Sequence, residues 1–251
     1  MAVLGGYFDE AGTTHPAKVL GVGGFIGTVP KWTSFEHEWR RVMRTPPLPR
    51  DTAFHMTDFA SHPRRKPFNL LTDAKAASLF RRLTRIIRPR VIASVAATVV
   101  LKDYASEYPV IQVAKTPYAF CALQCLALAS MALDKVGRAD DEVAYIFECG
   151  AEGADELLKI KNDLINNPKW KTGYKISTLT FADRRKVIPL HAADMAVWAM
   201  RQYAEWQRFG HERMIRHELS ELIENLPHYT AFYDRAELRR VKKKWREADA
   251  K

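Results

Sequence analysis

Asp9, Glu148 and Asp194 are the side chains of this sequence best suited to chemistry, because each carboxylate stands where an acid is expensive to place. Asp9 closes the apolar run Val3-Leu4-Gly5-Gly6-Tyr7-Phe8, and Glu148 closes Val143-Ala144-Tyr145-Ile146-Phe147. Asp194 interrupts the apolar stretch from Ile188 to Trp198. An unpaired carboxylate taken out of water costs several kcal/mol, so acids at such positions are neutralised, hydrogen-bonded or bound to a cation. Local roles exist for two of them. Asp9, followed by Glu10, Ala11 and Gly12, can cap a turn after a strand, and Glu148, before Cys149-Gly150, can be the first exposed residue after a buried one. Asp194 is harder to place that way. On a helix its neighbours three and four residues away are Leu190, Val197 and Trp198, which puts the carboxylate on the apolar stripe. If the three acids converge, a divalent metal is the natural counter-ion, and oxygen-only ligands select Mg²⁺ or Mn²⁺ rather than Zn²⁺. Two carboxylates ~4 Å apart repel by about 4 kcal/mol at an effective dielectric of 20. Without its cation such a site is strained and partly protonated.

Charge points to a polyanionic partner. Against 29 Asp and Glu stand 39 Lys and Arg, a formal net charge of +10, and that sign suits nucleic acid. Residues 235–251 hold eight basic and three acidic residues, a net of +5, as either a solvated helical tail or a phosphate-contacting one. Two further basic sets are Arg64-Arg65-Lys66, just after His55 and Asp58, and Arg184-Arg185-Lys186, ahead of Asp194. Lys and Arg hold phosphates where acids hold a metal, so the second set suits an anionic substrate.

At 251 residues and 47% apolar content, the chain can bury the core of one large domain or of a domain with an insertion. The apolar stretch from Tyr118 to Leu133 falls short of the ~20 residues needed to span a bilayer, so no membrane segment is expected. The N-terminal apolar residues read as a first strand rather than a signal core, and a cytoplasmic location is the expectation. Cys121, Cys125 and Cys149 lack CxxC spacing and clustered histidines, so buried free thiols are expected rather than a zinc site or a disulfide.

The elements that must position the acids follow from periodicity. Strands are expected near residues 3–9 and 19–27, joined as a hairpin by the turn-rich segment 11–17. A helix follows over Lys31–Met43, with Trp32, Phe35, Trp39 and Val42 on one face, ended by Pro46-Pro47-Leu48-Pro49. Ala53-Phe54-His55-Met56 reads as a short strand, Thr72–Ile87 as an amphipathic helix and Arg90–Val100 as a buried β-branched strand. Thr116-Pro117 and Gly137 bracket a helix over 117–136 that is apolar nearly all round and belongs inside. Strands at 142–148 and 174–181 and helices at 151–166, 189–208 and 211–225 complete an α/β or α+β pattern with a mixed sheet.

Five segments together carry a resemblance: Tyr7-Phe8-Asp9-Glu10-Ala11-Gly12; the Gly-rich second strand; Phe54-His55-Met56-Thr57-Asp58-Phe59; the strand ending in Glu148; and His191-Ala192-Ala193-Asp194-Met195-Ala196-Val197-Trp198. Over residues 5–205 the chain resembles the family called domain of unknown function 3800. The resemblance implies a ribonuclease-H-like mixed β-sheet flanked by helices, spanning residues 1–208 with a helical insertion around 57–90. Residues 209–251 then form a C-terminal helix and basic tail. It also implies that acids from the first strand, a later strand and a late helix bind catalytic Mg²⁺ or Mn²⁺, an order that Asp9, Glu148 and Asp194 match. The family's Asp-Glu-Ser-Gly has Ala11 in place of serine here, and its late glutamine is His191. A further acid comes from Glu36 or Glu38 on the Lys31 helix, or from Asp58, which fits the middle motif better. The activity implied is two-metal hydrolysis of a phosphodiester in nucleic acid by Asp9, Glu148, Asp194 and Asp58. Glu10, His55 and His191 would order water or support the ligands, and Arg184, Arg185 and Lys186 would orient the phosphate. The contrasting expectation is a non-catalytic scaffold of the same fold that binds nucleic acid or protein.

Overall fold

In the computed structural model, which describes residues 1–13, 17–111, 113–210, 220 and 226–249, the expected hairpin is β1 (Val3–Ala11) and β2 (Val19–Thr28), antiparallel with Asp9 opposite Gly23. β3 (Ala93–Val100) pairs antiparallel with β2. β4 (Glu142–Glu148) runs parallel to β1, and β5 (Ile176–Ala182) runs parallel to β4. β6 (His228–Tyr233) runs parallel to β3 and completes a six-stranded sheet of order β5-β4-β1-β2-β3-β6. Only β2 runs against the others, so β1, β4 and β5 all finish at one edge of the sheet. Open α/β sheets place ligands at such carboxyl ends.

Helices cover both faces. On one lie α1 (Val29–Met43), the short α2 (Met56–Ala60), α3 (Asp73–Ile87) and α8 (Pro189–Phe209), around the aromatic core of Phe35, Trp39, Phe54, Phe59 and Phe80. On the other lie α5 (Pro117–Lys135), α6 (Ala154–Asn166) and α9 (Arg235–Asp249), whose Leu238 joins the core of that side. Two shorter helices, α4 (Leu101–Glu107) and α7 (Pro168–Gly173), were not anticipated. Thr72 and Thr116 cap α3 and α5 by accepting from the Lys75 and Ala119 amides, as serine and threonine do at an N-cap. α5 is long and apolar enough by composition to cross a membrane, yet 61% of its most apolar window is buried within the fold, against the sheet.

Gly21 of β2 lets α8 settle on the sheet. A Cβ at Gly21 would stand 3.4 Å from Val197 Cγ2 and 3.0 Å from Thr98 Cγ2. A larger side chain there would lift the helix and, with it, the acid it carries. Trp32 of α1 pins the far end of the hairpin, its Nε1 donating to the Gly5 carbonyl at 2.9 Å.

The structure corrects the expectation in several places. Ala53-Phe54-His55-Met56 is not a strand: residues 52–55 are irregular and Met56 opens α2. The reason is an alternative partner for the backbone, since the Met56 N–H donates to Asp194 Oδ2 at 2.6 Å instead of entering a ladder. Within the stretch expected to be helix and tail, β6 extends the sheet. Its aromatic and β-branched sequence His228-Tyr229-Thr230-Ala231-Phe232-Tyr233 carried that signal, which the neighbouring basic residues obscured. Cys121 and Cys125 are buried thiols, whereas Cys149 is exposed, one residue past the end of β4. The helix expected over His211–Asn225 lies outside the described residues.

Candidate functional site

Strand alternation aims two of the acids at the same face. Phe8 and Phe147 stack on each other at 5.2 Å within the core on the α5 side. Successive side chains of a strand point oppositely, so Asp9 and Glu148, each one residue further on, turn toward α8. That helix brings Asp194. All three are buried, with 2%, 6% and 3% of their surface exposed. Glu10 joins them at the rim, and its amide donates to Asp9 Oδ1 at 2.8 Å.

What closes the cluster is a guanidinium. Arg184 Nε lies 3.2 Å from Glu148 Oε1, its Nη2 lies 3.4 Å from Asp9 Oδ2, and its Nη1 lies 3.7 Å from Asp194 Oδ2. A tight turn after β5 directs it inward: the Asp183 carbonyl accepts from the Lys186 and Val187 amides, and the Asp183 carboxylate holds the Arg185 amide at 2.8 Å. The acids still outnumber their counter-charge. Asp9 Oδ2, Glu10 Oε2 and Glu148 Oε2 are buried and accept no hydrogen bond, a costly state for carboxylate oxygens.

The electrostatics follow from that imbalance. Burial raises the Asp9 pKa well above the carboxylate range, and Asp194 and Glu10 add to the rise while Arg184 opposes it. Burial likewise raises Asp194 and Glu148 against the pull of Arg184. For Arg184, burial works against its charge, but Asp9, Asp194 and Glu148 outweigh it and raise its pKa. Tyr118, at the start of α5, is raised well above its ordinary value by burial and by Glu10, Asp9 and Glu148.

A stability prediction follows. An acid whose folded pKa is raised stabilises fully below its unfolded pKa and loses that contribution as pH rises through the folded value. Asp9→Asn removes this loss, so the variant should melt above the parent at neutral pH by about 2–4 °C, equivalent to ~1 kcal/mol for a chain of this size. The two should converge toward acid. Burial holds the His191 and His228 pKa values down at about 4. That works in the opposite sense between the ordinary histidine pKa and the depressed one, and it cancels in the comparison because both proteins contain it. Melting curves of both proteins from about pH 4 to 8 test this; a difference that does not change with pH removes Asp9 as its source.

The other expected residues divide. His55 Nδ1 meets Asp58 Oδ2 at 3.0 Å, and Arg65 Nη1 approaches Asp58 Oδ1 at 3.7 Å. Asp58 is thus part-exposed and paired with basic groups, while the Met56 amide between the two ties their segment to Asp194. Glu38 is held by Arg41 at 2.6 Å, and Glu36 lies 3.7 Å from Arg40, both on the outer side of α1. Of the basic triple, only Arg184 enters the cluster. Arg185 folds onto Asp183, and Lys186 is exposed. His191 is 3% exposed on the first turns of α8, with its ring 5.9 Å from that of Trp39, and neither ring nitrogen makes a hydrogen bond. Sequence reasoning missed the inward turn of Arg184, the Met56 amide and the arginines Arg40, Arg44 and Arg50 beside His191. The four-residue spacing of Arg40 and Arg44, at the end of the expected helix and just past it, was the available signal for two of these.

The donor set suits a hard cation, being carboxylate oxygens of which three accept no hydrogen bond. Its arrangement is built round the guanidinium: among the described residues no three His, Cys, Asp or Glu side chains are gathered closely enough to chelate an ion as they stand. Compared with protein-family models, with curated proteins and with solved structures, the chain matches none.

Proposed function

We propose that this protein is a metal-dependent phosphodiester hydrolase acting on nucleic acid, with a ribonuclease-H-like site made by Asp9, Glu148 and Asp194. The observation that carries the reading is the convergence of these acids, from the first strand, a later strand and a late helix, at one end of the parallel strands with unsatisfied oxygens left over. Asp9, Glu148 and Asp194 would hold Mg²⁺ or Mn²⁺, Glu10 flanking them. When bound, such ions supply a water acidic enough to ionise near neutral pH and stabilise the charge of the leaving oxygen. Arg184 holds the acids together, and with a cation bound its guanidinium would be available to a phosphate oxygen, since Arg forms bidentate pairs with carboxylate and phosphate alike. The net charge of +10 favours a polyanionic substrate. Asp58 belongs to the supporting ring through His55 rather than to the ligand set.

A second reading has its own support. Because Arg184 reaches all three acids, the cluster has a counter-ion of the chain's own making, which suits a binding scaffold of the same fold. Calorimetric titration with Mn²⁺ separates the two. The parent should bind, and Asp9→Asn and Asp194→Asn should each lose binding while remaining folded. A folded parent that takes up no Mn²⁺, alone or with an oligonucleotide present, would favour the scaffold.

A further inference from the structure

Beside the acid cluster, between the end of α1 and the start of α8, is a cleft of about 120 Å³. Arg40, Arg44, Arg50 and Arg185 line it together with one acid, Asp51, and His191 stands in its wall. Arg44 and Arg50 have no acid within ion-pair distance among the described residues, whereas Arg40 lies 3.7 Å from Glu36 and Arg185 is held by Asp183. His191 is more than nine-tenths buried, and neither ring nitrogen meets full hydrogen-bond geometry, its one polar neighbour by interaction being the Arg184 backbone. Burial holds it neutral, and the Arg184 and Arg40 charges add to this against a smaller opposing effect of the Arg184 backbone. Four arginines, two of them without an acid partner, line this small recess, and the His191 ring stands in its wall. The chemistry that satisfies them is a compact, multiply charged anion with several acceptor oxygens.

We propose that this cleft binds a phosphoryl group, that of a phosphomonoester at the end of a nucleic-acid strand. The phosphoryl assignment stands on the cleft itself; the strand end rests on the function proposed above. A terminal phosphate carries a second charge and a third free oxygen that an internal diester lacks, and a recess this small admits an end rather than a continuous chain. Position agrees with that role. Arg184 of the cluster and Arg185 of the cleft are consecutive, and His191 and Asp194 are three residues apart on α8, about 4.5 Å of helical rise. A strand anchored here presents one of its first linkages to the acids, so the enzyme trims from an end.

The experiment is fluorescence anisotropy in EDTA, where no cleavage occurs, with one labelled oligonucleotide carrying a 5′-phosphate, a 3′-phosphate or hydroxyls at both ends. One phosphorylated end should bind about tenfold more tightly than the hydroxyl form, a difference of ~1.4 kcal/mol, and inorganic phosphate should erase that preference. Arg44→Gln/Arg50→Gln should lose it, whereas Glu148→Gln should keep it. Equal affinity for all three ends, with no effect of inorganic phosphate, overturns the cleft as a phosphoryl site. Tryptophan fluorescence that responds to inorganic phosphate in the parent and not in Arg44→Gln/Arg50→Gln, without discrimination between ends, overturns the strand-end assignment in favour of a small phosphorylated molecule. Failure of Mn²⁺ binding or of cleavage leaves the anisotropy preference intact, so the two readings fail separately.

Discussion

Arg184→Ala should be the most destabilising single change at the site, costing ~3–5 kcal/mol at neutral pH, the usual effect of removing one partner from a buried ion pair. Its guanidinium lies within 3.2–3.7 Å of Asp9, Glu148 and Asp194, and nothing else described pairs with more than one of them. Three buried carboxylates would then face one another, with Glu10 adding to the repulsion. At about 2–4 °C per kcal/mol, the melting temperature should fall by roughly 6–20 °C. Two treatments should restore it, for different reasons. Acid protonates the raised carboxyls and removes the repulsion. Mn²⁺ replaces the missing charge, and at one hundred times its dissociation constant returns ~2.7 kcal/mol. Melting of the parent and variant with and without Mn²⁺ decides the matter: rescue by acid alone means that the acids repel but do not form a cation site.

The second large effect is on catalysis. Glu148→Gln and Asp194→Asn should each reduce Mn²⁺-dependent cleavage of an oligonucleotide by at least about 10³-fold, the upper range for removal of one charge-stabilising group. The double variant should lose little more, because groups that act as a unit are strongly non-additive. Oligonucleotide affinity in EDTA should stay the same or tighten, since an acid facing a polyanion has been neutralised. Asp58→Asn should cost far less, because Asp58 is engaged by His55 and Arg65. A loss as large as that of Asp194→Asn would move Asp58 into the ligand set. Activity retained in Glu148→Gln and Asp194→Asn would remove the acids from the reaction.

Much of the fold was legible because it is written in local periodicity. The short apolar runs ending in Asp9 and Glu148 read as buried strands, and Trp32, Phe35, Trp39 and Val42 recur like one face of a helix; both become those elements. Thr116-Pro117 marks the start of α5 because capping chemistry is local. The segment at Phe54 misled for a physical reason. Its apolar and aromatic residues fit a strand, but the Met56 amide had a stronger claim on a buried carboxylate 138 residues away. β6 was obscured by the basic residues beside it, and its pairing with β3, far back along the chain, leaves no local signal.

By itself the sequence placed Asp194 on an apolar helical stripe and set Asp9 and Glu148 at the ends of apolar runs, where a carboxylate is costly to bury without a partner. That they meet depended on the tertiary structure: β1 and β4 must pair in parallel, and α8 must settle against β2 at Gly21. What they meet was also decided there. Arg184-Arg185-Lys186 reads as one basic patch, yet the turn at Asp183 sends Arg184 into the acids and leaves Arg185 and Lys186 outside. Composition sets how much charge a chain carries, but the direction of each side chain depends on backbone geometry fixed by contacts distant in sequence.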